Sequence, residues 1–481
     1  MPLRSPDQFL QSLRDGRRVI YRGRTVEDVT GHPHLGRGAH HVAIDFRLAH
    51  DRPDDPVLVT RGGDTGPISR YFTIPRTADD LLRRRDLIEG VTREARSFVP
   101  LIKEIGTDAL FALMIVTAQM DRASGTSYAG RVGAFYARCR DEDLAMAVAQ
   151  TDAKGDRSSR PSAQPHPDVY VRRVRETGEG IIVRGAKAHT TNAVFSNEII
   201  VLPTRAMGEA DADYVVAFAV PANTPGVTMV ASPRGFSATS VFDNPLSSRY
   251  SLTESLTIFD DVFVPWDRVF LCGEWRYAGL LAKTFVEFHR FTAVSYKTPL
   301  LELLLGAAAL IADYHGLLGA AHVRDKLARL IMYLHTGRGL LTAAAAENRT
   351  VEGLAVPNPV MTNAAKYHFA RGYHDAVRDV QDLAGGLLVT GPAEEDWTAP
   401  EIRAIIEPYL GGRAGVSGED RLRVMNLIRD LVASDLGGYL EVLAIHAEGS
   451  LETQKLTVLM DFDLEPLKRA AARVANVATE R

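Results

Sequence analysis

The chain has 481 residues, 46% hydrophobic and 24% charged, with a formal net charge of −4. That is globular composition at a length too great for a single core, so two or three subdomains are expected. The mild acidity, with no basic block interleaved with aromatics, speaks against a nucleic-acid partner. Two cysteines, Cys139 and Cys272, make neither a disulfide framework nor a zinc spacing. The opening "MPLRSPDQFLQSLRDGRR" lacks an apolar h-region, and the longest apolar run, "LLLGAAALIA" at 303–312, is too short to span a bilayer. No membrane association and a cytoplasmic location are the expectations.

Residues 1–144 read as a mainly helical N-terminal domain. "TADDLLRRRDLIEGVTREARSF" starts on Thr77, an N-cap residue followed by two acidic side chains that suit the helix dipole. "TDALFALMIVTAQMD", 107–121, is apolar enough to predict a buried helix. Residues 145–273 read as a central β domain. "DVYVRRVRETGEGIIVRGAKA" alternates, turns at "ETGEG" and alternates again, which predicts a hairpin. "NEIIVLPT", "DYVVAFAVP", "GVTMVAS" and "SLTIFDDVFVP" predict further short strands. Such strands with Gly/Pro punctuation suit a small barrel or sandwich, and a barrel is the working expectation. Residues 274–481 return to helix with long 3.6-period apolar faces, as in "TPLLELLLGAAALIADYHGLL" and "HVRDKLARLIMYLHTGRGLLTAAAAEN". Gly385–Gly386 and Gly437–Gly438 read as helix C-termini. Helices this apolar call for partners, so the bundle is expected to oligomerise.

Two polar segments stand out in the middle zone: "TDAKGDRSSRPSAQ" at 151–164 and "RGAKAHTTNA" at 184–193, flanking the hairpin. Pro161, Pro165 and Pro167 make the first a loop. No GxGxxG of the dinucleotide type accompanies them.

These segments, with "FDDVFVPWDRVFL", "DQFLQSLRDGRRVIYRGRTVEDVTGHP" and "DLAGGLLVTGP" at 382–392, resemble the flavoprotein family of 4-hydroxyphenylacetate 3-hydroxylase and 4-hydroxybutyryl-CoA dehydratase, over nearly the whole chain. The resemblance implies an α+β, acyl-CoA-dehydrogenase-like fold: an N-terminal α domain, a central β domain and a C-terminal four-helix bundle that builds a homotetramer. It also implies FAD between the β domain and the bundle. The flavin edge needs fixed donors and acceptors, and its pyrophosphate needs cationic or N–H donors. Thr151, Lys154, Asp156, Arg157, Gln164, Lys187, Thr190, Thr191 and Asn192 are the cofactor-binding candidates.

One branch of the family hydroxylates phenols with reduced flavin and O2; the other holds a [4Fe–4S] cluster beside FAD. The cluster requires three cysteines and a histidine. The histidine position is His289 in "EFHRFTAVSYK", but one cysteine position is Tyr296 and the other two fall in "ARSFVPLIKEIG", which has none. Thiolates hold such clusters, so no iron–sulfur cluster, and no other metal, is expected. The hydroxylase's phenol-gripping tyrosine and histidine fall on Phe98 and Val148, with Arg96 or Arg93 for its arginine, so 4-hydroxyphenylacetate itself is not the expected substrate. His289, Glu254, Lys297 and Arg290 are the catalytic candidates: His289 or Glu254 as base, Lys297 for an anionic substrate group. The leading expectation is an FADH2-dependent monooxygenase acting through a flavin C4a-hydroperoxide on an electron-rich aromatic, with O2 as co-substrate and a separate flavin reductase as partner. The alternative is a cluster-free flavin-dependent dehydratase, isomerase or desaturase acting on an acyl-CoA or carrier-bound acyl group.

Overall fold

The computed structural model of the chain describes residues 3–62 and 66–477. Three long helices dominate the first part: Leu35–Asp51, Ala78–Glu94 and Glu104–Ser124. Thr77 caps Ala78–Glu94 through a capping box in which its side chain accepts from the Asp80 N–H and Asp80 accepts from the Thr77 N–H. Glu104–Ser124 is buried along most of its length. Its first turn stands on charge: the Lys103 ammonium, fully buried, bridges Asp45 at 3.0 Å and Asp143 at 2.7 Å.

The middle of the chain forms two open sheets rather than the expected barrel. In the larger, the strands run in the order Arg24–Val26, Val19–Tyr21, Val227–Ala231, Ser255–Pro265, Gly180–Lys187, Arg172–Glu176. In the smaller the order is Val269–Cys272, Val216–Pro221, Glu198–Val201, Met146–Ala149. Neither sheet closes on itself. The same inward–outward alternation serves a barrel and a pair of packed sheets, so strand pattern alone does not separate them. Phe218 of the small sheet meets Phe259 of the large one edge-on, ring centroids 5.7 Å apart. The N-terminal strand Val19–Tyr21 pairs in parallel with Val227–Ala231, tying the start of the chain into the central sheet.

The hairpin is present, with Arg172 opposite Arg184 and Glu176 opposite Ile181. Gly185 in its second strand has φ +132, and a Cβ there would lie 2.5 Å from the Tyr170 carbonyl oxygen. Only glycine tolerates that conformation and that approach.

The last part packs Trp275–Tyr314, Ala321–Ala346, Pro359–Ala384 and Gly418–Val432 against one another. Trp275–Tyr314 runs 40 residues with Pro299 inside it. It is long and apolar enough to cross a membrane, yet 67% of its most apolar window is buried within the protein, as befits a core helix. Gly385 caps Pro359–Ala384 as expected, its N–H donating to the Gln381 carbonyl. Gly437 and Gly438 do not end a helix. They lie in the first turn of Asp435–His446, whose N-cap is Ser434. A helix does stop just before them, at Val432, and the chain reinitiates within three residues.

Candidate functional site

Glu254 sits immediately before the strand Ser255–Pro265. Reciprocal backbone bonds between Thr190 and Ser255, 3.0 and 3.2 Å, clamp the two chain segments. They bring the Thr191 hydroxyl to 3.0 Å from both Glu254 carboxylate oxygens. Tyr439, from Asp435–His446, donates to the same carboxylate at 2.8 Å. Burial pushes the Glu254 carboxyl up to about 7; the Tyr439 and Thr191 hydrogen bonds oppose the rise and the nearby Glu448 charge adds to it. A carboxyl tuned this close to neutrality can both give and take a proton.

Trp275–Tyr314 supplies a second group. Tyr296 and Lys297 both reach Glu448, the tyrosine hydroxyl donating to Oε1 and the ammonium pairing with Oε2, each at 2.5 Å. Lys366, from Pro359–Ala384, lies 3.5 Å from the same Oε2 and donates to the Ala444 carbonyl at 2.9 Å. Burial would raise the Glu448 carboxyl, but Lys297 and Lys366 outweigh it and hold Glu448 down at about 2. Glu448 takes φ +56 and is followed by Gly449 at φ +96, a conformation that aims its carboxylate back into the bundle. Arg290 fixes this turn by donating to the Glu448 carbonyl at 2.9 Å and to Asn363. His289 stacks on Phe285, ring centroids 5.1 Å apart, and meets Asp108 at 3.3 Å. Asp108 is in turn held by Arg84 at 2.7 Å and Thr292 at 2.9 Å.

Between these groups lies a narrow cavity walled by Phe98, Val99, Leu252, Leu300, Phe369 and Leu440, with Tyr296 and Lys297 at its polar side. Arg96, Ser97 and Leu101, around the first wall, all have positive φ. Three non-glycine residues held in that region within six positions mark a segment fixed by its surroundings.

The two polar segments approach the same region. Lys154 is half-buried with φ +73; burial lowers its pKa, and Arg157 adds to the lowering. His189 is lowered by burial, then by the charges of Lys154 and His446, so this loop faces the end of Asp435–His446. Asp156 accepts from the Ser158 N–H and hydroxyl and from Ser159, and Gln164 bonds both the Asp156 N–H and its carbonyl.

Two family models match the chain: 4-hydroxyphenylacetate 3-hydroxylase N terminal over residues 5–271 and C terminal over residues 278–476. The chain belongs to the 4-hydroxyphenylacetate 3-hydroxylase family. Among its relatives, the 4-hydroxybutyryl-CoA dehydratase/vinylacetyl-CoA-Delta-isomerase of Clostridium aminobutyricum is 30% identical, over 99% of this chain and 100% of the relative. The 4-hydroxyphenylacetate 3-monooxygenase oxygenase component of Thermus thermophilus is also 30% identical, over 93% and 92%. Of solved structures, an archaeal 4-hydroxybutyryl-CoA dehydratase from N. maritimus superposes with TM-score 0.93 at 30% identity, covering 99% of this chain and 96% of that one. The oxygenase component of 4-hydroxyphenylacetate 3-monooxygenase, complexed with FAD, gives 0.91 at 29%, covering 98% and 99%.

Within this family chain, the structure brings Glu254, Thr190 and Thr191 into one group, and Lys297 and Arg290 into another around Glu448. His289 stands apart from both groups in its direct contacts, bound to Asp108 and stacked on Phe285. Three cofactor candidates spend their polar atoms inside the protein. The buried Lys187 ammonium pairs with Asp152 at 2.8 Å and donates to the Gln150 and Leu202 carbonyls at 2.9 Å. Asn192 ties the Pro100 carbonyl at 2.7 Å to the Thr253 N–H at 3.0 Å. Gln164 closes its own loop. Thr151 accepts from the Ala188 N–H through its carbonyl, joining the two polar segments, and Arg157 is exposed. Cys139 is buried near Glu198, and Cys272 lies 3.5 Å from Arg173. Among the described residues no group of three His, Cys, Asp or Glu is arranged to hold a metal.

Sequence reading missed Glu448, Lys366, Tyr439 and Asp108. A signal existed for Lys366. Asn363, Lys366, Ala370 and Tyr373 fall at helical spacing on the buried stripe of Pro359–Ala384, and a lysine on a buried stripe is rare unless paired. Glu448 had no comparable signal, because its role depends on a turn after a helix end.

Proposed function

We propose that the protein is the oxygenase component of a two-component flavin monooxygenase that hydroxylates a phenol-like aromatic. The cavity lining carries this reading: its apolar and aromatic walls, with Tyr296 and Lys297 at the polar side, suit a ring bearing a hydroxyl or its anion, and at about 30 Å³ the walls must part to admit one. Tyr296 and the absence of cysteine from residues 95–106 remove the thiolate ligands that the cluster-bearing chemistry requires.

The chain's residues fit FAD. The Thr190 hydroxyl is buried without a hydrogen-bond partner. Lys154 and the exposed Arg157 bring cationic donors to the same loops, and Thr191 offers a hydroxyl at the Glu254 side. Unsatisfied donors beside a cleft suit the carbonyls, ring nitrogens and pyrophosphate of that cofactor. When bound, reduced FAD supplies the two electrons with which O2 yields one oxygen atom to the substrate and one to water. Lys297 and Tyr296 orient the substrate oxygen, and the apolar walls exclude water. Glu254, held by Thr191 and Tyr439, takes or returns a proton at its carboxyl. Arg290 keeps the Glu448 turn in place, and His289, oriented by Asp108, is a second candidate base. A separate flavin reductase as partner fits this chemistry. A homotetramer fits the apolar side chains left exposed on the C-terminal helices, among them Tyr409 at 84% and Met460 at 71%.

Incubation with a flavin reductase, FAD, NADH, a phenol panel and isotopically labelled O2 tests the reading. One labelled oxygen in a hydroxylated product is expected; NADH oxidation yielding only peroxide with every phenol refutes it. A second reading, cluster-free isomerisation or dehydration of an acyl thioester, is favoured by Glu254, whose carboxyl suits proton transfer at an α-carbon. Deuterium exchange from D2O into an unsaturated acyl-CoA, with phenols left untouched, would establish that reading instead.

A further inference from the structure

The bundle buries two lysines against one carboxylate. Lys297 is 3% exposed and Lys366 is fully buried. Both address the same oxygen, Glu448 Oε2, at 2.5 and 3.5 Å, so their nitrogens are neighbours across one atom. Lys297 faces the cavity, whereas Lys366 lies behind it, bound to the Ala444 carbonyl. Two buried ammoniums sharing a single carboxylate leave one positive charge uncompensated, which a low-dielectric interior resists.

The other charges facing the pair do not relieve this. Trp275–Tyr314 contributes Arg290 and His289, and Arg290 lowers Lys366 further. The buried residues of Leu451–Asp461, Gln454 and Thr457, are uncharged. Glu254 is near enough for the Glu448 charge to raise it. Burial, then Lys297, brings Lys366 down to about 7 despite Glu448. At rest Lys297 is therefore the ammonium paired with the Glu448 carboxylate and Lys366 the neutral amine, and the buried Arg290 guanidinium, bound to the neutral Glu448 carbonyl and Asn363, adds a positive charge that favours that neutral form.

Resting on the phenol reading above, we propose that Lys366 is the proton acceptor of the site, taking the substrate's acidic proton through Lys297 so that the cavity holds its phenol as the anion. In that step the phenol O–H breaks and its proton passes to Lys297, while Lys297 hands one of its own to the Lys366 lone pair. Lys297 stays an ammonium, Lys366 becomes one, and the phenolate is the new anion. The new ammonium and the new phenolate offset each other, so the step leaves the net buried charge unchanged. No oxidant or reductant takes part. A phenolate is also the electron-rich form on which oxygen transfer to the ring depends.

The test is binding of 3-nitrophenol, with and without oxidised FAD, at a pH above the Lys366 value of about 7 and below the probe's own ionisation. The phenolate absorption band reports its ionisation state. Calorimetry in two buffers of different ionisation enthalpy counts protons exchanged with solvent. Wild type is expected to show the phenolate band with no proton released. Lys366→Met is expected to bind at least tenfold more weakly at that pH and to recover as pH rises through the probe's ionisation. Wild type binding the probe as the neutral phenol, or expelling one proton to buffer per phenolate bound, overturns the proposal without relying on any variant. If phenols are hydroxylated yet bind neutral, only this proposal fails; if no phenol binds or reacts, the functional reading fails with it.

Discussion

Glu254→Gln separates the electrostatic cost of the site from its function. The wild-type carboxyl is raised from 4.5 to about 7 by burial. Between those values the folded protein binds a proton that the unfolded chain has lost, so stability falls as pH rises. It is full below the unfolded value and lost once pH passes the folded one. The span corresponds to about 3 kcal/mol, reduced to about 2 kcal/mol because Glu254 is only partly buried by surface area. Glutamine has the same shape and never ionises. It gives up an acceptor for Tyr439 or Thr191, costing about 1 kcal/mol. The variant should therefore be slightly less stable than wild type near about pH 5, and about 1 kcal/mol more stable near about pH 8. Urea unfolding followed by tryptophan fluorescence at the two pH values gives both differences. Turnover should fall at least tenfold throughout, a trade of activity against stability. A stability difference that does not change sign or shrink with pH would refute the assignment of a strained buried carboxyl.

Asp108→Ala leaves the buried Arg84 guanidinium without its carboxylate and should cost about 3–5 kcal/mol; Arg84→Met combined with Asp108→Leu should recover most of it in the same urea titration. Gly185→Ala forces a side chain into φ +132 against the Tyr170 carbonyl; loss of about 2 kcal/mol or more is expected, read as a lowered thermal midpoint. Thr191→Val removes a hydroxyl that contacts Glu254 and flanks the loops assigned to the flavin. FAD affinity measured by fluorescence titration should drop about tenfold, roughly 1.4 kcal/mol, with the oligomer intact by size exclusion. Unchanged affinity would remove Thr191 from the cofactor's surroundings.

Features that depend on neighbours in sequence were legible. The Thr77 cap, the buried helix at 107–121 and the hairpin turning at 177–180 each follow from a few consecutive residues, and each is present. Features that depend on which faces meet were not. Strand alternation could not choose between a closed barrel and two open sheets. Gly437–Gly438 looked like a helix stop because glycine ends helices, yet Ser434 restarts the chain just ahead of them.

The site divides the same way. The family resemblance of the surrounding motifs nominates Glu254, His289, Arg290 and Lys297 as candidates, and "GAKAHTTN" does the same for Thr190 and Thr191. Lys187, Gln164 and Asn192 share those polar motifs, but their side chains are consumed in building the loops. Backbone neighbours and local spacing, written directly in the order of residues, determined the helices, the hairpin and the family. Tertiary structure decided that Glu448, 151 residues after Lys297, closes on it, and that Lys366 must share that carboxylate. Burial and charge pairing are properties of the assembled interior, where distant segments remove one another's water, and no stretch of chain carries them alone.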